Sequence, residues 1–191
     1  MSTLVDVLAR NSALLRLPPR VALFYSNARR LAARSGDDWS LQSATKPESL
    51  RELLRVARGH RRVVEIGTGT AWTTAALALA DGQRRVTSFD PVVRPERERY
   101  LALAGSARDR IELLAVPGES GPREPVDMLF IDGSHERERT IETFRAWRPA
   151  VTGVVAFHDY DNPAYPGVSE AIAELGLRGR VVRDLFVWTA V

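Results

Sequence analysis

The sequence has no cysteine, a single lysine and no long uninterrupted run of apolar residues. Without cysteine, neither a disulfide nor thiolate chemistry is available to the chain. A membrane-spanning helix needs roughly 18 or more consecutive apolar residues, and no stretch of the sequence reaches that length. The first residues also lack the basic and then apolar layout of a secretory signal. From these absences we expect a cytoplasmic protein without a membrane partner.

Charges of one sign are not in large excess either, because 27 basic residues accompany 24 acidic residues. Lys46 is the only lysine, so the basic residues are otherwise arginines. They are interspersed with glutamates, as in residues 94–99 and 136–139. A nucleic-acid interface more often shows a basic stripe that carries aromatic residues. We therefore predict a solvated surface of mixed charge and no nucleic-acid partner.

The length and composition that are present suit one domain. A chain of 191 residues with 45% hydrophobic residues can bury a sizeable core, and domains commonly contain roughly 100–200 residues. We predict a single domain over residues 1–191, with an N-terminal helical cap in residues 1–40 and a Rossmann-like core in residues 41–191. At the end of the cap, Gly36–Asp38 predicts a loop before Trp39.

Short apolar runs alternate with helical stretches from residue 61 onward. The predicted strands are 63–66, 85–89, 111–114, 127–131, 153–157, 180–183 and 186–189. The predicted helices between them are 71–80, 94–104 and 136–147. Strands that alternate with helices form a parallel sheet covered on both faces. The predicted fold class is thus α/β: a doubly wound, mostly parallel seven-stranded sheet with helices on both faces, an antiparallel C-terminal edge strand and an N-terminal helical appendage.

Polar residues or glycines follow five successive strands, at the ends where open parallel sheets bind ligands. After the first strand, Gly67 and Gly69 let the backbone approach a ligand without an intervening Cβ. Trp72 stands where a dinucleotide fingerprint has a third small residue, which disfavours a pyrophosphate site. After the second strand, Asp90 could accept both hydroxyls of a ribose, which favours a nucleoside-containing cofactor. As alternatives, the glycine turn could bind no ligand and Asp90 could cap a helix.

Four segments resemble, in order and spacing, the class I S-adenosylmethionine-dependent methyltransferases: Val64–Gly69, Phe89–Pro91, Phe130–His135 and Phe157–Tyr160. More narrowly, the set is similar to the small O-methyltransferases, a group that includes catechol O-methyltransferase and bacterial natural-product enzymes. The likeness covers about residues 40–191. It implies an enzyme that uses S-adenosylmethionine to methylate an oxygen of a small hydroxylated molecule.

The resemblance also assigns a site for S-adenosylmethionine. Glu65 would face the ammonium of the methionine part and Asp90 would bind the ribose. Residues 118–120 would lie against the adenine, and residues 41–46 would close over the cofactor. The implied cofactor-binding residues are Gln42, Ser43, Glu65, Gly67, Thr68, Gly69, Asp90, Pro91, Gly118, Glu119, Ser120 and Asp132.

A divalent metal is a second ligand that the resemblance implies for the metal-dependent members. The alternative is a methyltransferase without a metal, in which Asp132 touches the sulfonium region of the cofactor or caps the following helix and Asp159 anchors a loop. In metal-dependent members, an Asp after the fourth strand and an Asp-Asn pair after the fifth hold the cation, and Asp132 and Asp159 match the two aspartates. Such oxygen ligands suit Mg²⁺. Tyr160 stands in place of the Asn, which either residue of Asp161–Asn162 could replace. His158 could also contribute, although an imidazole favours a softer metal than magnesium.

His135 and Asp132 are the predicted catalytic residues. His135 occupies the position at which the metal-dependent relatives place their general base, usually a lysine. An imidazole can accept a hydroxyl proton near neutral pH. The alternative for His135 is a surface histidine at the start of a helix.

The methyl acceptor is not encoded in any pattern, and other functions stay open. We expect residues 1–40 and the loop after Asp159 to build the acceptor pocket. Val21, Phe24 and Tyr25 would line either this pocket or the interface of a homodimer. The alternative functions are a catalytically inactive binding protein with the methyltransferase fold and, less favoured, an NAD(P)-dependent oxidoreductase.

Overall fold

The structure, a computed structural model, describes residues 13–121 and 124–190. Within these residues the strands are β1 (Arg62–Ile66), β2 (Arg85–Phe89), β3 (Ile111–Leu114), β4 (Val126–Ile131), β5 (Val151–Phe157), β6 (Arg180–Val182) and β7 (Leu185–Thr189). The α-helices are α1 (Pro19–Ser35), α2 (Asp38–Ser43), α3 (Pro47–Val56), α4 (Trp72–Ala80), α5 (Arg97–Leu101), α6 (Arg137–Trp147) and α7 (Pro166–Glu174). Segments of 3-10 helix cover Ala102–Arg110, Gly118–Ser120 and Arg148–Ala150. None of these described helices combines the length and the apolar composition that crossing a membrane requires.

The strands form one sheet in the order β3-β2-β1-β4-β5-β7-β6. Strands β1 to β5 pair in parallel, and β7 runs antiparallel to both β5 and β6. The predicted fold class is confirmed. Strand β7 lies between β5 and β6, so the edge strand is β6 and not the C-terminal strand β7. Leu185, Phe186 and Val187 of β7 are buried, as suits an inner strand. Arg180 and Val181 of β6 are exposed, as suits an edge strand.

Helices on the two faces of the sheet divide the core into two clusters. Helices α1, α3, α4 and α5 contribute to the first cluster, and α6 and α7 contribute to the second. Strand β1 serves both, because its successive side chains point to opposite faces. Val63 packs in the first cluster, whereas Val64 and Ile66 pack in the second.

The N-terminal helix α1, predicted as an appendage, is part of the first cluster. Val21, Phe24 and Tyr25 are at most 2% exposed, and the ring of Tyr25 meets that of Trp72 edge-on at 5.5 Å. These three side chains therefore line neither an acceptor pocket nor a dimer interface, because the core covers them. The first part of the predicted cap, residues 1–12, lies outside the described residues.

Three local predictions about the helices are wrong. The loop predicted before Trp39 ends at Asp37, because the Asp37 carboxylate accepts the backbone N–H of Ser40 at 3.1 Å and so starts α2 earlier. The helix predicted over residues 94–104 is reduced to α5 and a 3-10 segment, which Gly105 interrupts with non-helical dihedral angles. Helix α7 is absent from the sequence prediction, which treats the region after β5 as a loop.

We expect Phe24→Ala to destabilise the protein by about 3–5 kcal/mol, because it removes a buried aromatic ring from the core. Leu23→Ala, at a neighbouring position that is 64% exposed, is the matched control and should change the unfolding free energy by less than about 0.5 kcal/mol. Urea denaturation of both variants measures the difference. Equal effects of the two substitutions would show that α1 does not pack against the sheet as described.

Candidate functional site

The carboxyl ends of the adjacent strands β2, β1, β4 and β5 lie level with one another. The backbone N–H of Gly67 donates to the carbonyl of Phe89 at 2.8 Å. The N–H of Asp132 donates to the carbonyl of Ile66, also at 2.8 Å. The residues that follow these strands line one cleft of about 1140 Å³. The strand order reverses between β1 and β4, which is the place where sheets of this type bind ligands.

Most of the predicted site residues line this cleft: Gln42, Ser43, Gly67, Thr68, Gly69, Asp90, Pro91, Gly118, Glu119, Asp132, His135 and Asp159. Glu65 and Ser120 do not, since Glu65 is fully buried and Ser120 is exposed outside the cleft. The lining also includes Trp39, Arg94 and Asp184, which the sequence reasoning missed. These three belong to no motif, because helix α2, the loop after β2 and the β6–β7 turn bring them to the cleft.

Gly67 and Gly69 shape the turn after β1. Both have positive φ angles, of 101° and 51°, which glycine adopts without steric penalty. A Cβ on Gly67 would collide with the backbone carbonyl of Asp132. The glycine at position 67 is therefore required by the packing of β1 against β4 as well as by any approaching ligand.

Asp90 fastens this turn to the end of β2. Its Oδ2 accepts the N–H of Gly69 at 2.8 Å, and its Oδ1 accepts the N–H of Val92 at 2.8 Å. The guanidinium of Arg97 lies 3.5 Å from Oδ2 and donates to the carbonyls of Gly69 and Val92. Each oxygen of Asp90 keeps a further lone pair for a ligand hydroxyl. Arg97 is only 4% exposed, which corrects the prediction that residues 94–99 form a solvated run.

Two histidines and three aspartates meet at the end of β4 and β5; we call Asp132, His135, His158, Asp159 and Asp184 the His–Asp cluster. His158 Nδ1 lies 2.9 Å from Asp132 Oδ1 and 3.1 Å from Asp159 Oδ2. His158 Nε2 lies 3.5 Å from Asp184 Oδ2. His135 Nε2 lies 2.9 Å from Asp159 Oδ2. The structure thus brings together the predicted residues Asp132, His135 and Asp159 with His158, which the sequence offered as a possible metal ligand, and adds Asp184.

Charges stabilise one another within the His–Asp cluster. Burial opposes a charge on His158, yet the three facing aspartates raise its pKa to about 12. Burial also acts against the carboxylate of Asp159, but His135 and His158 hold its pKa well below the usual range. Asp159 has a φ of 56°, a strained conformation that is frequent at functional sites. The cluster is therefore a concentration of charge held by a constrained backbone.

The donors of the cluster do not fit the implied magnesium ion. Tyr160, in place of the expected Asn, packs its ring against Phe186 of β7, at the border of the second core cluster. Asn162 donates from Nδ2 to Asp159 Oδ1 at 2.7 Å instead. Asp132, His158 and Asp159 each place one ligand atom within 4.8 Å of the other two. A set that contains an imidazole is not the all-oxygen octahedron that Mg²⁺ prefers.

Glu65 lies beneath the glycine turn, on the face of β1 that α1 and α4 cover. Its Oε2 accepts hydrogen bonds from the hydroxyls of Thr74 and Ser88, and Oε1 is buried without a hydrogen-bond partner among the described residues. Burial, the largest influence, raises the pKa of Glu65 to about 8. The structure therefore corrects the prediction that Glu65 faces the ammonium of the cofactor, because the alternation of strand residues turns its side chain into the core.

We expect Glu65→Gln to remove one component of the pH dependence of stability. Glu65 has an ordinary pKa of 4.5 when unfolded but keeps its proton up to about pH 8 when folded. The unfolded chain therefore loses the proton first, and the unfolding free energy falls by up to about 1.4 kcal/mol per pH unit across this window. Urea denaturation at several pH values should show that the unfolding free energy of the variant rises relative to that of the wild type as pH increases. Parallel curves would mean that Glu65 is not the titrating group.

Solved structures of other proteins share this fold. The O-methyltransferase from Bacillus cereus in complex with SAH has a TM-score of 0.68 at 17% identity, covering 88% of this chain and 90% of that one. The O-methyltransferase TomG from Streptomyces achromogenes in complex with SAM has a TM-score of 0.53 at 23% identity, covering 78% and 81%. An rRNA methylase from Streptococcus thermophilus has a TM-score of 0.52 at 20% identity, covering 74% and 92%. At these identities the likeness establishes the fold alone.

A sequence family described as "Methyltransferase domain" matches residues 64–160. The matched segment contains the carboxyl ends of β1, β2, β4 and β5 and therefore most of the cleft. A search of the curated proteins found no match. Because the family match spans just over half of the chain, this protein belongs to the methyltransferase domain family.

Proposed function

We propose that this methyltransferase takes its methyl group from S-adenosylmethionine and transfers it to an oxygen of a small hydroxylated molecule. The observation that carries the proposal is the junction of the glycine turn with Asp90, where the Gly69 N–H meets the carboxylate at 2.8 Å. A carboxylate at the end of the second strand can accept ribose hydroxyls, which supports a nucleoside-containing cofactor. Two solved structures of the same fold, described as complexes with SAM or SAH, support this choice of cofactor.

The contacts of the loop after β3 support its proposed role against an adenine. The carbonyl of Gly118 accepts the indole N–H of Trp147 at 2.7 Å, and a Cβ on Gly118 would collide with the side chain of Ile66. Glu119 lines the cleft and pairs with Arg139 at 2.7 Å. Because these contacts hold the loop in place, little conformational entropy is lost when a cofactor binds.

The charge of the cleft favours a cationic cofactor and disfavours a polyanionic acceptor. Its acidic residues are Asp90, Glu119, Asp132, Glu136, Asp159, Asp161 and Asp184. Its basic residues are Lys46, Arg94, Arg139 and Arg183, and His158 adds a further positive charge when it is protonated. An acidic excess attracts a sulfonium and repels the phosphates of a nucleic acid. We therefore propose a small-molecule acceptor, although an rRNA methylase shares the fold.

In the proposed reaction the S–CH₃ bond of the cofactor breaks as the acceptor oxygen forms a bond to the methyl carbon. The hydroxyl proton leaves to a base, a role that the sequence prediction gives to His135. The ring of His135 lines the cleft and is held by stacking on Tyr165, with 3.9 Å between ring centroids. Alignment of the two bound reactants can contribute roughly 7–11 kcal/mol to lowering the barrier, and a general base typically adds about 10²–10⁴-fold in rate.

We expect Asp90→Asn to weaken the binding of S-adenosylhomocysteine by about 10–100-fold, since a hydrogen bond to a charged group is worth roughly 1.5–3 kcal/mol. Asp109→Asn, at an exposed position away from the cleft, is the matched control and should leave the affinity unchanged. Isothermal titration calorimetry measures both. Equal affinities would remove Asp90 from the cofactor site, and a wild type that binds neither SAM nor SAH would overturn the proposed function.

A further inference from the structure

We propose that Asp132, His158 and Asp159 bind a divalent first-row transition metal, such as Co²⁺, Mn²⁺ or Zn²⁺, in preference to Mg²⁺. The inference rests on the proposed function for the role of the ion, which would lie beside the acceptor. The binding itself can be measured without methyl transfer.

The three ligand atoms have the spacing of atoms that share one ion. His158 Nδ1 lies 2.9 Å from Asp132 Oδ1 and 3.1 Å from Asp159 Oδ2. Atoms at neighbouring corners of an octahedron with bonds of about 2.1 Å are about 3.0 Å apart. Three donors of this kind leave further corners for water or for a substrate oxygen.

A single proton on His158 Nδ1 can reach both carboxylates only as one bifurcated hydrogen bond. An N–H bond loses strength steeply when it is misaligned, so each of the two contacts would be weaker than a direct one. The two carboxylates also repel each other, because both face the same nitrogen. A cation between the three atoms interacts favourably with all of them.

Asp184 supports His158 from the opposite side of the ring. Its Oδ2 lies 3.5 Å from the buried Nε2 of His158, and the hydroxyl of Ser49 holds the same carboxylate at 2.8 Å. Metal-bound histidines commonly direct their second N–H at a carboxylate, which fixes the tautomer. Asp184 is thus placed to favour a proton on Nε2 electrostatically, which would leave the Nδ1 lone pair for a metal ion in place of a proton. His135 Nε2 lies 2.9 Å from Asp159 Oδ2, the same oxygen that His158 Nδ1 contacts.

The identity of the donors decides between the metals. Magnesium prefers oxygen ligands and gives up its water reluctantly. Mixed imidazole and carboxylate sets favour the later first-row metals, whose affinities rise from Mn²⁺ toward Cu²⁺. The His158 nitrogen therefore selects against Mg²⁺, whereas the Asp-Asp-Asn set that the resemblance implies would accept it.

Metal binding to the chelator-treated and dialysed full-length protein tests the inference. Titration with Co²⁺ is followed by its visible d–d absorption, which also reports nitrogen ligation, and titration with Mg²⁺ is followed by calorimetry. We expect Co²⁺ to bind at least about 100-fold more tightly than Mg²⁺. Equal affinities, or no binding of Co²⁺, would overturn the inference; without binding, the cluster is an ion-pair network around a protonated His158.

Variants of single residues locate the bound ion. We expect His158→Gln to weaken Co²⁺ binding at least about 100-fold, since it removes a ligand whose outer-shell partners alone are worth about 10–100-fold. His60→Ala is the matched control, because His60 precedes the amino end of β1, away from the cleft at the carboxyl ends of the strands. The Co²⁺ affinity of this variant should equal that of the wild type. If His158→Gln does not fold, Asp184→Asn replaces it, with an expected loss of about 10–100-fold. Unchanged Co²⁺ binding in the folded variant would contradict the assignment.

Calorimetry with S-adenosylhomocysteine on the same metal-free protein separates the two possible failures. If SAH binds and Co²⁺ does not, the metal inference is wrong and the proposed function stands. If Co²⁺ binds and SAH does not, the proposed function is wrong and the metal site stands.

Discussion

The close approach of β1 and β4 at their carboxyl ends is the constraint on which the site depends. The carbonyl of Ile66 accepts the N–H of Asp132 at 2.8 Å, and the space beside Gly67 is too small for a Cβ. The strand order reverses at this contact, with β2 and β3 on one side of it and β5 on the other, and the cleft opens here. The glycine turn and the His–Asp cluster therefore share one wall, which is what a reaction between a bound cofactor and a second substrate requires.

Two buried ionisable groups support this wall in different ways. Arg97 keeps its charge, because Asp90 lies 3.5 Å away and two backbone carbonyls accept its N–H groups. Glu65 has no cationic partner and lowers its desolvation penalty by holding a proton, which is why burial raises its pKa. Asp90 thus has a structural role beside its proposed role toward a ribose, since its removal would leave the Arg97 guanidinium buried without an anion.

Much of the fold and of the cleft follows from the sequence, because buried parallel strands read as short apolar runs and ligand-binding residues follow their ends. Strands β2 and β3 have the predicted bounds, and Asp90, Asp132 and Asp159 line the cleft. The sequence does not predict the burial of Arg97, because residues 94–99 have the composition of a solvated surface. It does not predict Asp184 either, since that residue reaches His158 only after β7 inserts between β5 and β6.

The balance of charge in the His–Asp cluster ties the fold to its ligands. Asp132, Asp159 and Asp184 arrive from three separate parts of the chain, and His135 and His158 are the histidines that face them. Carboxylates this close stay ionised only where positive charge compensates them. The raised pKa of His158 reflects this need for positive charge, and a divalent ion or a sulfonium would supply more of it. A cation that binds only the folded state also stabilises that state by mass action, so the repulsion built into the cluster couples occupancy of the cleft to the stability of the sheet around it.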